Sequence, residues 1–257
     1  MPLLSIPHEL LLEIIGHVAD SAPLTTSYSF NGLKQLAHTC IVLRSLSITL
    51  IYASVTIHRE AGQLGSLLVD YPHIATCVRH LKIEAPRIWA GDNQRLIRRI
   101  LERCTKLREL VLEKLPGTGG LRTGFEDETL EYLPVESRRS IKTVAIHGLP
   151  LDGLLVHFRR MLGGEFSALQ TLRMRSCDVC NPYDVRRHRE EQRQFMNAVL
   201  LQASAEPPGA LKSVQSFLFD APFPYRLAEE SDVGACLANS MPNLKFLSMV
   251  TSPNIIY

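Results

Sequence analysis

The chain reads as an α/β protein: parallel strands joined by outer helices in successive units, behind a small all-α module. Three observations lead there. The 257 residues include 39 leucines against 9 Phe, 7 Tyr and 1 Trp. A core dominated by one aliphatic residue suits repetition, because each repeat reuses the same packing slots. A short motif, apolar-x-x-apolar-x-apolar, returns along the chain with helical patterns between its copies. The first fifty residues lack that motif and carry helix signals instead.

The copies begin at Tyr52 (with Val55 and Ile57), Val78 (Leu81, Ile83), Leu107 (Leu110, Leu112) and Ile141 (Val144, Ile146). They continue at Leu169 (Leu172, Met174), Val214 (Phe217, Phe219) and Leu244 (Leu247, Met249). The intervals are 26, 29, 34, 28, 45 and 30 residues, an irregular spacing. Alternation makes each copy a short strand. The best helical pattern between them is Asp92 to Arg103, with Leu96, Ile97, Ile100 and Leu101 on one face and arginines on the other. Segments 128–133, 153–162, 190–204 and 228–239 fill further gaps. Strand-then-helix units of this length form a parallel sheet with helices outside it, an α/β solenoid. A doubly wound α/β enzyme is the competing arrangement, and it calls for a glycine fingerprint after an early strand. Pro116-Gly117-Thr118-Gly119-Gly120 lacks the G-x-G-x-x-G spacing and reads as a loop.

The array resembles leucine-rich repeats. The unit at Leu169 carries the likeness best: Leu169-x-x-Leu172-x-Met174-x-x-Cys177-x-Val179, with Cys at the Asn/Cys position. About seven such strand–helix units span residues 52–257.

Residues 1–51 form the helical module. Pro7 suits a first helical turn, Glu9 favours the positive end of the dipole, and Leu10, Leu11, Ile14, Ile15 and Val18 recur at helical spacing. A stripe including Leu11 and Ile15 is expected to remain for something other than the internal core. A second helical pattern runs through Leu33, Leu36, Ala37, Cys40, Leu43 and Leu46. So small a unit is marginal alone and gains from docking on a neighbour or partner.

The order Ile6-Pro7-x-Glu9-Leu10-x-x-Glu13-Ile14, then Leu36-Ala37-x-Thr39-Cys40-x-x-Leu43-Arg44, resembles the F-box, with Ile6 where that family usually has Leu. The connection from Ala19 to Gly32 is longer than the family's compact form. The resemblance implies a non-catalytic substrate-recognition subunit of an SCF-type cullin–RING ubiquitin ligase, binding a Skp-type adaptor and a target protein. It assigns adaptor contact to Ile6, Pro7, Leu10, Leu11, Ile14, Ile15, Leu36, Cys40 and Leu43. Spacing does not separate the adaptor-facing members of this set from the core-facing ones. The alternative is a leucine-rich-repeat interaction scaffold whose N-terminal helices only cap the array.

Strand residues between the core positions share one face, the expected concave surface. Target contact is expected there from His80, Lys82, Glu84, Glu109, Glu113, His147, Arg173, Arg175 and Phe246. Glutamates on early repeats and arginines on a later one form a charge gradient for a partner to read. No acidic pair is forced into a desolvated pocket, so the face suits recognition and not catalysis.

Other chemistry is weaker. Cys177-x-x-Cys180 with His188 nearby lacks the second ligand pair that zinc requires, so no cofactor is expected. The mixed-sign run from Arg186 to Arg193 reads as an exposed loop entering a solvated helix. A net charge of +2, from 28 basic and 26 acidic residues, gives no reason to expect nucleic acid or membrane as partners. The N-terminus lacks a basic n-region, and six cysteines show no disulfide framework, so the cytoplasm and/or nucleus is the expected compartment. The apolar tail Ile255-Ile256-Tyr257 carries no polar cap and is expected to pack back on the array.

Overall fold

A computed structural model of the chain describes residues 7–20, 38, 41–58, 62–85, 91–114, 125, 128–149, 151–162, 165–176, 212–221 and 241–251. Two helices come first, α1 (His8–Asp20) and α2 (Ile41–Ile51). Their shared core is small: Leu11 and Ile15 from α1 meet Leu43, Leu46 and Ile51 from α2. Tyr52 packs against this cluster and also against the much larger core that follows. Among the described residues Tyr52 thus bridges the two cores.

Seven strands build one sheet: β1 (Ser54–Ile57), β2 (His80–Ala85), β3 (Glu109–Lys114), β4 (Thr143–Leu149), β5 (Thr171–Ser176), β6 (Ser216–Ala221) and β7 (Phe246–Thr251). Every neighbouring pair is parallel, and spatial order follows chain order. The fold is therefore α/β. A doubly wound sheet needs a reversal of strand order, and this sheet has none.

Between the strands lie α3 (Gly62–Asp70), α4 (Pro72–Ala75), α5 (Gly91–Arg103), a 3₁₀ turn (Thr129–Tyr132), α6 (Val135–Ser140) and α7 (Leu151–Leu162). The pattern at 92–103 becomes α5, the one at 128–133 tightens into the 3₁₀ turn, and the one at 153–162 is α7. Helices α3, α4 and α6 occupy stretches in which no helix was expected from spacing. The expected helices at 190–204 and 228–239 lie outside the described residues, as do the glycine loop at 116–120, Cys177, Cys180, the basic run and the terminal tail.

The motif positions supply the core. Val55, Leu81, Leu110, Val144, Leu172 and Phe217 stand in register across six strands and are buried. Ile57, Ile83, Leu112, Ile146, Met174 and Phe219 form a second buried row. Helix residues Leu68, Ile100, Leu101, Leu154 and Phe158 belong to the same cluster. Phe158 stacks beside Phe217 with ring centroids 6.1 Å apart, filling the space between α7 and β6 with aromatic surface. Leu247, in register with Phe217 on the last of the described strands, is 42% exposed.

The strands are tied together one residue before each begins. The Ala53 carbonyl accepts the N–H groups of Arg79 and His80, and the Arg79 carbonyl accepts those of Arg108 and Glu109. The Arg108 carbonyl takes Lys142 and Thr143, the Lys142 carbonyl takes Gln170 and Thr171, and the series runs through Gln215 to Lys245. Each carbonyl uses both lone pairs on the next strand, which fixes the starting register of the whole sheet.

Candidate interaction surfaces

Helix α1 presents two apolar rows of different fate. Leu11 and Ile15 are 3% and 1% exposed, while Leu10 and Ile14 are 49% and 47% exposed. The expected leftover stripe is thus displaced by one residue: Leu11 and Ile15 face the Leu43 side of α2, and Leu10 and Ile14 remain outside. The reason is helical phase, since each residue turns about 100° from the last and one step exchanges faces. Pro7 is exposed. Leu43 is buried in the pair's own core. Ile6, Leu36 and Cys40 lie outside the described residues. Helix α2 adds two apolar residues not anticipated, Ile41 at 81% and Val42 at 41% exposure.

Opposite the core-facing rows, the sheet displays three rows in register. The first runs Ser54, His80, Glu109, Thr143, Thr171, Ser216, Phe246. The second runs Thr56, Lys82, Val111, Ala145, Arg173, Leu218, Ser248. The third runs Glu84, Glu113, His147, Arg175, Asp220, Val250. All nine residues expected to meet a target stand in these rows. Phe246 is half exposed at the β7 end, and Arg173 is exposed on β5.

Most of the charges are already matched. Lys82 Nζ donates to Glu84 Oε1 at 2.8 Å and to Glu113 Oε2 at 2.6 Å. His58 Nδ1 donates to the other Glu84 oxygen at 2.7 Å, and His80 Nδ1 donates to Glu109 Oε2 at 2.9 Å. Arg175 Nε donates to Asp220 Oδ2 at 3.2 Å. His58 was not anticipated, although extending the alternation of β1 by one residue would have found it. Sequence spacing read these groups as a gradient open to a partner. Folding places strands 26 and 29 residues apart side by side, and the opposite charges meet each other first.

The titrating groups respond to that pairing. Glu113 foremost, and then Glu84, hold the Lys82 pKa above the ordinary lysine value, against a smaller effect of burial. Lys82 holds Glu84 below the ordinary carboxylate value, burial opposes it, and His58 adds to the lowering. At His147, partial burial depresses the pKa; nearby Glu113 opposes, and Arg175, Arg173 and Lys82 reinforce the depression. Burial and the neighbouring cations thus favour the neutral form of His147 over the charged one.

Exposed pairs of this kind are worth about 0.2–1 kcal/mol each, so they order the face more than they stabilise the fold. The paired charges stand in register on one face, an arrangement suited to binding. Among the described residues no group of three His, Cys, Asp or Glu side chains could hold a metal ion. None of their helices is long and apolar enough to cross a membrane. Compared with known proteins, the chain matches no family model, and no curated sequence is significantly similar to it.

Proposed function

We propose that this chain is the substrate-recognition subunit of an SCF-type cullin–RING ubiquitin ligase. In this reading residues 1–51 are an F-box, residues 52–257 are a leucine-rich-repeat-like α/β solenoid, and the protein itself performs no chemistry. The F-box holds the Skp-type adaptor and the sheet face holds a target protein. Both are then tethered together, which raises the target's effective concentration beside the ubiquitin-charged enzyme.

The observation that carries this reading is the split on α1. A helix that only capped the array would bury its apolar residues inward. Here Leu11 and Ile15 complete the internal core, and Leu10 and Ile14, one turn apart in the resembling motif, are left half covered. Completing their burial against a partner would contribute about 1 kcal/mol each. Pro7 and the exposed Ile41 and Val42 extend the apolar character of the helical pair.

The experiment is a pulldown with purified Skp-type adaptor. Wild type should bind, and Leu10→Glu with Ile14→Glu should abolish binding while leaving the circular dichroism spectrum and melting temperature unchanged. A wild-type chain that does not retain the adaptor overturns the ligase reading in favour of a free-standing interaction scaffold. Undiminished binding by the double variant removes α1 as the adaptor surface.

A further inference from the structure

The row of residues that precedes the strands differs in kind from the rows on the sheet face. Arg79, Arg108 and Lys142 occupy it on consecutive strands, linked by backbone hydrogen bonds of 2.7 Å (Arg108 to Arg79) and 2.8 Å (Lys142 to Arg108). Neighbouring strands lie about 4.8 Å apart, so three cations follow one another over about 10 Å. Arg108 and Lys142 are exposed, and Arg79 is partly exposed. The Arg79 guanidinium donates to the Thr76 and Val78 carbonyl oxygens, which are neutral. Among the described residues none of the three forms an ion pair, whereas one position after Arg79 His80 meets Glu109, and two further on Lys82 meets two glutamates. Like charges in register on adjacent strands destabilise a sheet. This row therefore stores repulsion that an anionic partner would relieve.

We propose that this edge of the sheet is a docking surface for an acidic, extended peptide segment of a partner protein, held by Arg79, Arg108 and Lys142. Alternate side chains of an extended chain are about 6.5–7 Å apart, so two or three carboxylates span the cationic row. Gln170 and Gln215 continue the row on the next two strands and are exposed, offering amide donors and acceptors to the segment's backbone. A nucleic acid fits less well. No member of the row from Arg79 to Gln215 is aromatic, so bases find nothing to stack on. The docking surface is separate from the helical pair and does not rest on the ligase reading.

The test uses the full chain, a fluorescein-labelled hexaglutamate peptide, and anisotropy at low and raised salt. Binding should be measurable at low salt, weaken as salt rises, and fall at least about tenfold in Arg108→Glu with Lys142→Glu. The charge-conserving Arg108→Lys with Lys142→Arg should retain it. Equal binding by the reversed double variant overturns the proposal, as does equal binding of hexalysine or tighter binding of an oligothymidylate. A second readout needs no ligand. Arg108→Glu alone puts a negative charge between Arg79 and Lys142, so its melting temperature should rise; a fall would refute the stored repulsion.

Discussion

Replacing Gly148 by alanine should be among the most damaging small substitutions in this sheet. Gly148 lies in β4 at φ 77°, a left-handed conformation that costs an L-residue about 1–2 kcal/mol. Space is the larger difficulty. A Cβ there would stand 2.2 Å from the Lys114 carbonyl oxygen and 3.0 Å from its carbon. Those atoms belong to the backbone of β3, so relief requires the β3–β4 pairing to open. Adding strain to the weakening of one or two ladder hydrogen bonds, each net about 0.5–1.5 kcal/mol, gives a loss of about 2–4 kcal/mol. The same substitution at Gly65 in α3 is the control. Its Cβ would meet Leu96 Cδ2 at 2.9 Å, the far end of a flexible side chain. A helical alanine gains about 0.5–1 kcal/mol over glycine, which offsets the crowding. Urea denaturation followed by far-ultraviolet circular dichroism measures both. Gly148→Ala should lower stability by at least about 2 kcal/mol more than Gly65→Ala. Comparable losses at the two sites would refute the close approach of Gly148 to β3.

Three further outcomes are expected. Leu11→Ala and Ile15→Ala should each cost about 2–4 kcal/mol in the same denaturation assay, whereas Leu10→Ala and Ile14→Ala should cost under about 0.5 kcal/mol; equal costs would mean that α1 is rotated. Glu84 has its folded pKa below the ordinary value of 4.5, so its pairing stabilises fully above that pH and is lost as pH falls through the lowered value. Lys82 lies above the ordinary 10.5, so its contribution holds below that pH and is lost as pH rises through the raised value. Lys82→Met should flatten both limbs of the melting temperature against pH, and an unchanged profile would contradict the network. Burial pushes the Cys104 thiol up to about 12, so at pH 8 a water-soluble disulfide reagent should modify Cys77 well before Cys104. Peptide mapping by mass spectrometry reads the order.

The strands were legible because their information is local. A parallel strand with one face buried must place apolar groups two residues apart, and Leu110–Leu112 or Ile146 after Val144 do so without reference to anything distant. Helix α5 was legible for the same reason, its apolar residues and arginines falling on opposite sides of a 3.6-residue period. Helix α3 was not, because Gly62, Gly65 and Ser66 dilute its pattern; its place is set by packing of Leu68 into the core. Alternation also placed all nine expected target-contact residues on one face. It could not tell which of them would be occupied, since the Lys82–Glu113 contact depends on two strands docking side by side. The distinction between Leu10 and Leu11 was likewise beyond reach, because both are leucine and only the position of α2 decides which is enclosed.

The shared carbonyls at the strand starts have a bearing on how the chain comes apart. Each of Arg79, Arg108, Lys142, Gln170 and Gln215 receives its pair of donors from the next strand alone, and β1 and β7 do not pair with each other. Connectivity of that kind behaves like a zip and has no keystone. Force applied at the β7 end should release one strand at a time, giving a sawtooth of small steps instead of a single rupture.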